Sequence, residues 1–184
     1  MRRWFLACAV VMIAGPRPPA VTAQTATSPF EACAPVGRPW AYDDLLCVYQ
    51  AGARERRLAE ARDRLRAHGA GDAGHPWATL VLGHATLNDD EAGAIGHYQT
   101  AADGFVQSRE AEGEVIARQN LRFLLRRRGE LAAASRQVEL AVASAAASKQ
   151  PLTIARASVI EAAHLVETGG DIGRAQRSLA RAER

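Results

Sequence analysis

A chain of 184 residues, 48% hydrophobic and only 5% aromatic, is long enough for one compact domain or a short solenoid. Its richness in Ala and Arg with few β-branched runs favours helices. The formal charge of +3 belongs to the first 23 residues, which hold Arg2, Arg3 and Arg17 and no acid; the remaining chain carries 20 basic and 20 acidic residues. A near-neutral chain excludes the sustained positive field of a general nucleic-acid binder.

Residues 1–23, "MRRWFLACAVVMIAGPRPPAVTA", read as a secretory signal peptide. A positive start precedes an apolar run at Trp4 to Ala14, and small residues offer cleavage after Ala23. The alternative is an uncleaved anchor, although the apolar run is short for a bilayer. Cys8 follows "FLA" as in a lipobox but sits too early, with most of the apolar run after it. The mature chain is therefore expected to be exported, periplasmic or extracellular, with no membrane span.

Residues 24–40 are rich in Pro, Ser, Thr and Ala without period and read as an extended arm. Cys33 in this arm and Cys47 in the first helical stretch are the cysteines left after cleavage. In an exported chain the pair suggests one disulfide; two unpaired buried thiols are the alternative. Such a bridge would tie the arm over the first helices.

From residue 41 to residue 184 the pattern is helical. Four stretches share one grammar: 56–68, 91–105, 129–143 and 170–183. In each a small residue is followed four positions later by a large one, as Ala61/Leu65, Ala94/Tyr98, Ala134/Val138 and Ala175/Leu179. Each stretch is preceded by another amphipathic helix, roughly 42–51, 77–87, 111–127 and 153–168. Short turns, "NDDE", "RRRGE" and "TGGD", join the later pairs. Glycine there supplies a left-handed helix end and the following acid suits the next helix start. The small alanine allows the second helix to approach the first closely, and the large residue fills the space beside it.

Between the first and second pairs, "GAGDAGHPW" (69–77) follows a helix rather than a strand and lacks the Lys-Ser/Thr of a phosphate loop, so it reads as a linker. No G-x-S-x-G elbow and no H-E-x-x-H motif occurs among the serines and the five histidines. His84 and His97 fall on partner helices, yet two ligands without a third make a poor metal site. Neither catalysis, a metal nor a cofactor is expected.

This pattern resembles the tetratricopeptide-repeat family, with "LVLGHATL" and "NLRFLLRRRGELAAA" matching best. The resemblance implies an all-α, right-handed solenoid of about four antiparallel helix hairpins. Parts of the chain, among them "CAPVGRPWAYDDLLCVY" and "AHLVETGGDIGRAQRSLARAE", also resemble the helical-repeat region that precedes caspase-like CHAT peptidase domains in bacterial proteins. In tetratricopeptide arrays the first helices line a concave groove. Aligning the turns puts His84, Phe123 and His164 at equivalent positions there. Leu80, Gln119 and Ile160 lie one turn earlier, Arg126 and Glu167 one turn later, with Arg127 adjacent. The opposing expectation is that Leu80, Phe123 and Ile160 are covered by neighbouring repeats. The functional expectation is a non-enzymatic scaffold that binds a protein or peptide through this groove or its open C-terminal end. The alternative is the interaction part of a CHAT-type peptidase system.

Overall fold

The computed structural model describes residues 28–34, 40–71 and 75–183; the signal and cleavage site expected at 1–23 lie outside them. The described residues are all-helical, with eight α-helices and no strand. These are α1 (Tyr42–Arg54), α2 (Leu58–Gly71), α3 (Pro76–Thr86), α4 (Glu91–Ser108), α5 (Ala111–Arg127), α6 (Leu131–Ser148), α7 (Pro151–Glu167) and α8 (Ile172–Ala182). Each helix packs on the next, and α1 also touches α3, α3 touches α5, and α5 touches α7.

The helix boundaries follow local chemistry. The Asp90 carboxylate caps α4 by accepting from Gly93 N–H at 2.8 Å, and Asp171 caps α8 by accepting from Arg174 N–H at 3.1 Å, satisfying amide donors that have no intrahelical partner. Pro76 and Pro151 occupy first turns, where a missing N–H costs nothing. Gly129 and Gly169 close α5 and α7 with φ of +77° and +67°, a conformation without steric penalty only for glycine. At the other helix ends Arg109 and Lys149 adopt φ of 60° and 57°.

These landmarks define a unit of fixed length. The pair α4–α5 starts and ends 40 residues before α6–α7, as do Arg109 and Lys149, and Gly129 and Gly169. The turn bonds repeat with the same spacing: Arg128 N–H to Leu124 O and Thr168 N–H to His164 O, then Glu130 N–H to Leu125 O and Gly170 N–H to Leu165 O. One residue more, Gly170, separates α7 from α8 than separates α5 from α6, so Asp171 corresponds to Glu130 and Ala175 to Ala134.

The repeated alanines Ala61, Ala94, Ala134 and Ala175 are all buried. Beside them Leu65, Tyr98 and Val138 are buried too, whereas Leu179 is 45% exposed. Glycines mark the closest approaches: a Cβ on Gly52 would stand 2.6 Å from Ala61 Cβ, and one on Gly83 would stand 2.5 Å from the Tyr98 ring. Tyr98 and Phe105 of α4 are fully enclosed, each contributing about 1.5–3 kcal/mol by burial.

The arm is not wholly extended. Glu31–Cys33 forms a 3-10 turn, and a disulfide joins Cys33 to Cys47, their Cα atoms 5.5 Å apart. Phe30 is completely buried with Leu45, Val48, Ala61 and Leu65, and the guanidinium of Arg64 lies 4.7 Å from its ring centroid. An aromatic side chain with room beneath it between α1 and α2 bends this segment into the fold, where composition alone reads as irregular. None of the described helices is long and apolar enough to cross a membrane.

Candidate functional site: a concave face lined by four helices

The helices α1, α3, α5 and α7 share one concavity of about 320 Å³. Ala41, Tyr42 and Asp43 line it from α1 and its entry, Trp77 from α3, Glu112 and Ile116 from α5, and Arg156 from α7. The Tyr42 and Trp77 rings lie 4.5 Å apart, and Trp77 meets Phe105 edge-on at 4.7 Å. The indole N–H of Trp77 donates to Glu110 at 2.7 Å, which fixes the ring. The Arg156 guanidinium faces Glu112 at 3.5 Å. Burial raises the Tyr42 phenol above its ordinary pKa, with nearby Arg156 opposing, so the hydroxyl is a neutral donor and acceptor at physiological pH. Two fixed rings, an isoleucine and opposite charges at the margin suit an extended segment with an apolar side chain and polar backbone.

Helical spacing extends this surface along α5. Glu112, Ile116, Gln119, Phe123 and Arg127 are separated by four, three, four and four residues, which places them on one side of a helix. Gln119 is exposed, Phe123 is 42% exposed, and the Arg127 guanidinium lies 5.8 Å from the Phe123 ring centroid. Arg127 also pairs with Glu91 of α4 at 3.1 Å.

The other residues singled out from the sequence fall elsewhere. Leu80 is fully buried with Tyr98 and Leu121, and Ile160 is buried with Val138 and Ala141, so both are core. His84 is half-buried, its Nδ1 2.8 Å from the Tyr98 hydroxyl, and burial lowers its pKa. Arg126 and Glu167 form one ion pair at 3.2 Å between α5 and α7, and Arg122 reaches the same carboxylate at 2.6 Å. His164 is buried. With a 40-residue unit its counterpart is Leu124, not Phe123, and that of Ile160 is Asn120, not Gln119. A shift of one residue turns a helical side chain by about 100°, which carries these two from the open face into the interior.

A smaller cleft of about 180 Å³ lies among α6, α7 and α8, lined by Ser135, Glu161, His164 and Arg174 among others. Ser135 Oγ lies 2.9 Å from His164 Nε2 and donates to the Leu131 carbonyl at 3.0 Å. The Leu131 carbonyl and the His164 imidazole are both within reach of the one hydroxyl proton, and the His164 tautomer sets the direction of the second bond. An activated serine needs the imidazole as acceptor, oriented by a third group at its other nitrogen, and no hydrogen-bond partner reaches the buried His164 Nδ1. Burial first, then Arg122, lowers the His164 pKa. Glu161, 4% exposed, accepts from Ser178 at 2.6 Å and Arg174 at 2.5 Å. Burial raises its pKa, but these hydrogen bonds outweigh it and hold the carboxyl below its usual range. This cluster clamps α8 onto α7. Among the described residues no group of three or more His, Cys, Asp and Glu is placed to hold a metal.

The residues missed from the sequence are Tyr42, Trp77, Glu112, Ile116 and Arg156. Stepping back from Phe123 by seven and eleven residues reaches Ile116 and Glu112, so the α5 stripe carried a usable signal. No family model, no curated protein and no solved structure matches the chain.

Proposed function

We propose that this protein is a tetratricopeptide-like solenoid of four helix hairpins that acts as a non-enzymatic binding scaffold, exported to an oxidising compartment. The observation that carries the reading is the concavity to which all four first helices contribute. A peptide or protein segment binds there by placing an apolar side chain against Tyr42, Trp77 and Ile116. Arg156 and Glu112 orient its polar groups, and the stripe through Gln119 and Phe123 extends the contact. The Cys33–Cys47 bridge supports an oxidising environment, because structural disulfides persist there and are rare in reducing cytosol.

The test is capture from the native host by crosslinking, with the wild type compared with an Ile116→Asp/Arg156→Glu variant. Arg156 borders the cavity, and Ile116 borders it while packing at the edge of the core of α3 to α5. The wild type is expected to retain a partner that the variant loses, with the variant's helical content by circular dichroism showing that it still folds. Equal capture by both sinks the concave-face reading.

A further inference from the structure

We propose that the joint between the helix pairs α5–α6 and α7–α8 is an acid-sensitive hinge, in which protonation of the buried His164 releases α7–α8 as a unit from α5–α6.

His164 is 6% exposed and stands where several elements meet. From α6, Ser135 Oγ lies 2.9 Å from its Nε2, and the exposed Glu139 lines the same cleft. From α5, Arg122 and Arg126 are within electrostatic reach. From α8, Arg174 lines the cleft. On α7 itself the charged neighbours are Glu161 and Glu167, and both are already taken. Arg122 and Arg126 share Glu167, while Arg174, Arg181 and Ser178 surround Glu161. A charged imidazole carries N–H at both nitrogens. Nε2 has Ser135, but Nδ1 is buried with no hydrogen-bond partner. Protonation therefore sets a third cation beside two guanidiniums and leaves a buried, charged N–H unmet. Burying an unpaired charge is costly, whereas parting α7 from α5 and α6 gives the imidazolium to water. Burial, then Arg122, accordingly lowers the His164 pKa, and the closed joint accepts the neutral ring.

The same joint is built from small side chains. Between α5–α6 and α7 the buried apolar residues are Val115, Val138, Ala141, Ala145, Ala157 and Ile160. None is aromatic and half are alanine. The neighbouring cluster encloses Tyr98, Phe105, Leu121 and Leu124. Smaller side chains bury less apolar area and stabilise less, so one excluded proton weighs more here. Stacked helix pairs open locally at such interfaces. The α7–α8 pair itself stays together through this window. Its Glu161 carboxyl is held below its usual range and keeps Ser178 and Arg174. Arg156, which borders the concave face, lies on α7, so acid opening removes one wall of that cavity. This consequence rests on the concave-face reading; the hinge does not.

The test is amide hydrogen exchange of the purified chain, read by mass spectrometry from about pH 7.5 to about pH 5.5, a window around the free histidine value, and corrected for intrinsic exchange rates. Below about pH 6.5, protection in α7 and α8 is expected to fall together, by up to about tenfold per pH unit for one proton taken up on opening. At the acid end it is expected to lie below that of α3 and α4. His164→Gln keeps a polar partner for Ser135 without titrating, and is expected to remove this pH dependence. Arg126→Gln removes one facing cation and is expected to weaken it. Equal protection of α7–α8 and α3–α4 at the acid end overturns the proposal, as does loss in α8 without α7. A pH dependence undiminished in His164→Gln, or in Arg126→Gln if the former does not fold, also overturns it. The exchange needs no partner, so failure of the hinge and failure of the concave-face reading are separate results.

Discussion

Gly52→Ala tests how closely the helices of a pair must approach. Gly52 lies within α1, and a methyl group there would stand 2.6 Å from the Ala61 Cβ and 3.2 Å from the carbonyl oxygen of Arg57. Carbon atoms rest about 3.5–4.0 Å apart. Neither obstacle can rotate away, so α1 and α2 must part by about 1 Å. Overpacking of this kind costs about 1–3 kcal/mol, and the better helix propensity of alanine returns about 1 kcal/mol. The net expectation is a loss of up to about 2 kcal/mol. Gly96 in α4 is exposed, with nothing within 4 Å of its added Cβ; Gly96→Ala keeps only the propensity gain of about 1 kcal/mol. The two variants therefore differ by the overpacking cost of about 1–3 kcal/mol, or about 0.5–1.5 M in urea midpoint if the slope is near 2 kcal/mol per M. Urea unfolding followed by far-ultraviolet circular dichroism measures this. A Gly52→Ala chain whose midpoint rises as much as that of Gly96→Ala refutes close approach as the role of the glycine.

Cys33→Ser/Cys47→Ser opens a loop with a sequence separation of 14 and is expected to cost about 3 kcal/mol in the chain-entropy account. Reduction of the wild type should give the same loss in calorimetry. His84 and His164 both have pKa values lowered chiefly by burial, so the unfolded chain binds protons that the folded chain refuses. Their stabilisation is full above the unfolded value of about 6.5 and declines as pH falls below it. Urea midpoints measured at falling pH should drop in that window, and His84→Gln should flatten the slope. The Glu161 carboxyl is held low, so its contribution is full above the range where free glutamate protonates and is lost as pH falls through that range to its own lowered value; Glu161→Gln should remove this acid limb while leaving the histidine window in place. A Glu161→Gln chain whose acid limb matches wild type contradicts that assignment.

The recurring small-then-large pattern was readable because it follows from packing within a pair. An alanine is needed wherever two helices touch, and Ala61, Ala94, Ala134 and Ala175 are all buried as that requires. Gly129 and Gly169 were readable as turns because few other residues tolerate their positive φ. The turns at Arg109 and Lys149 use the same backbone conformation without glycine, so nothing in the residue types marks them. Without those landmarks the unit is uncertain by one residue, which is enough to carry His164 and Ile160 to the wrong side of α7. The cavity was hidden for another reason. Tyr42, Trp77, Ile116 and Arg156 are far apart in sequence and meet only through contacts between first helices, which no local periodicity encodes. The Phe30 turn was hidden because one buried ring, not a composition, folds the arm back.

The ion pairs between α5 and α7 also explain why these two helices lie in the same direction. Glu112 and Arg126 stand at opposite ends of α5, and they meet Arg156 near the start of α7 and Glu167 at its end. This is a parallel arrangement with opposite charges at both ends. Turning α7 end for end would set Glu112 against Glu167 and Arg126 against Arg156. Exposed pairs of this kind add little to stability, but like charges facing each other disfavour the reversed packing. Arg122, buried beside Glu167, strengthens the discrimination, because leaving either charge unpaired there is costly.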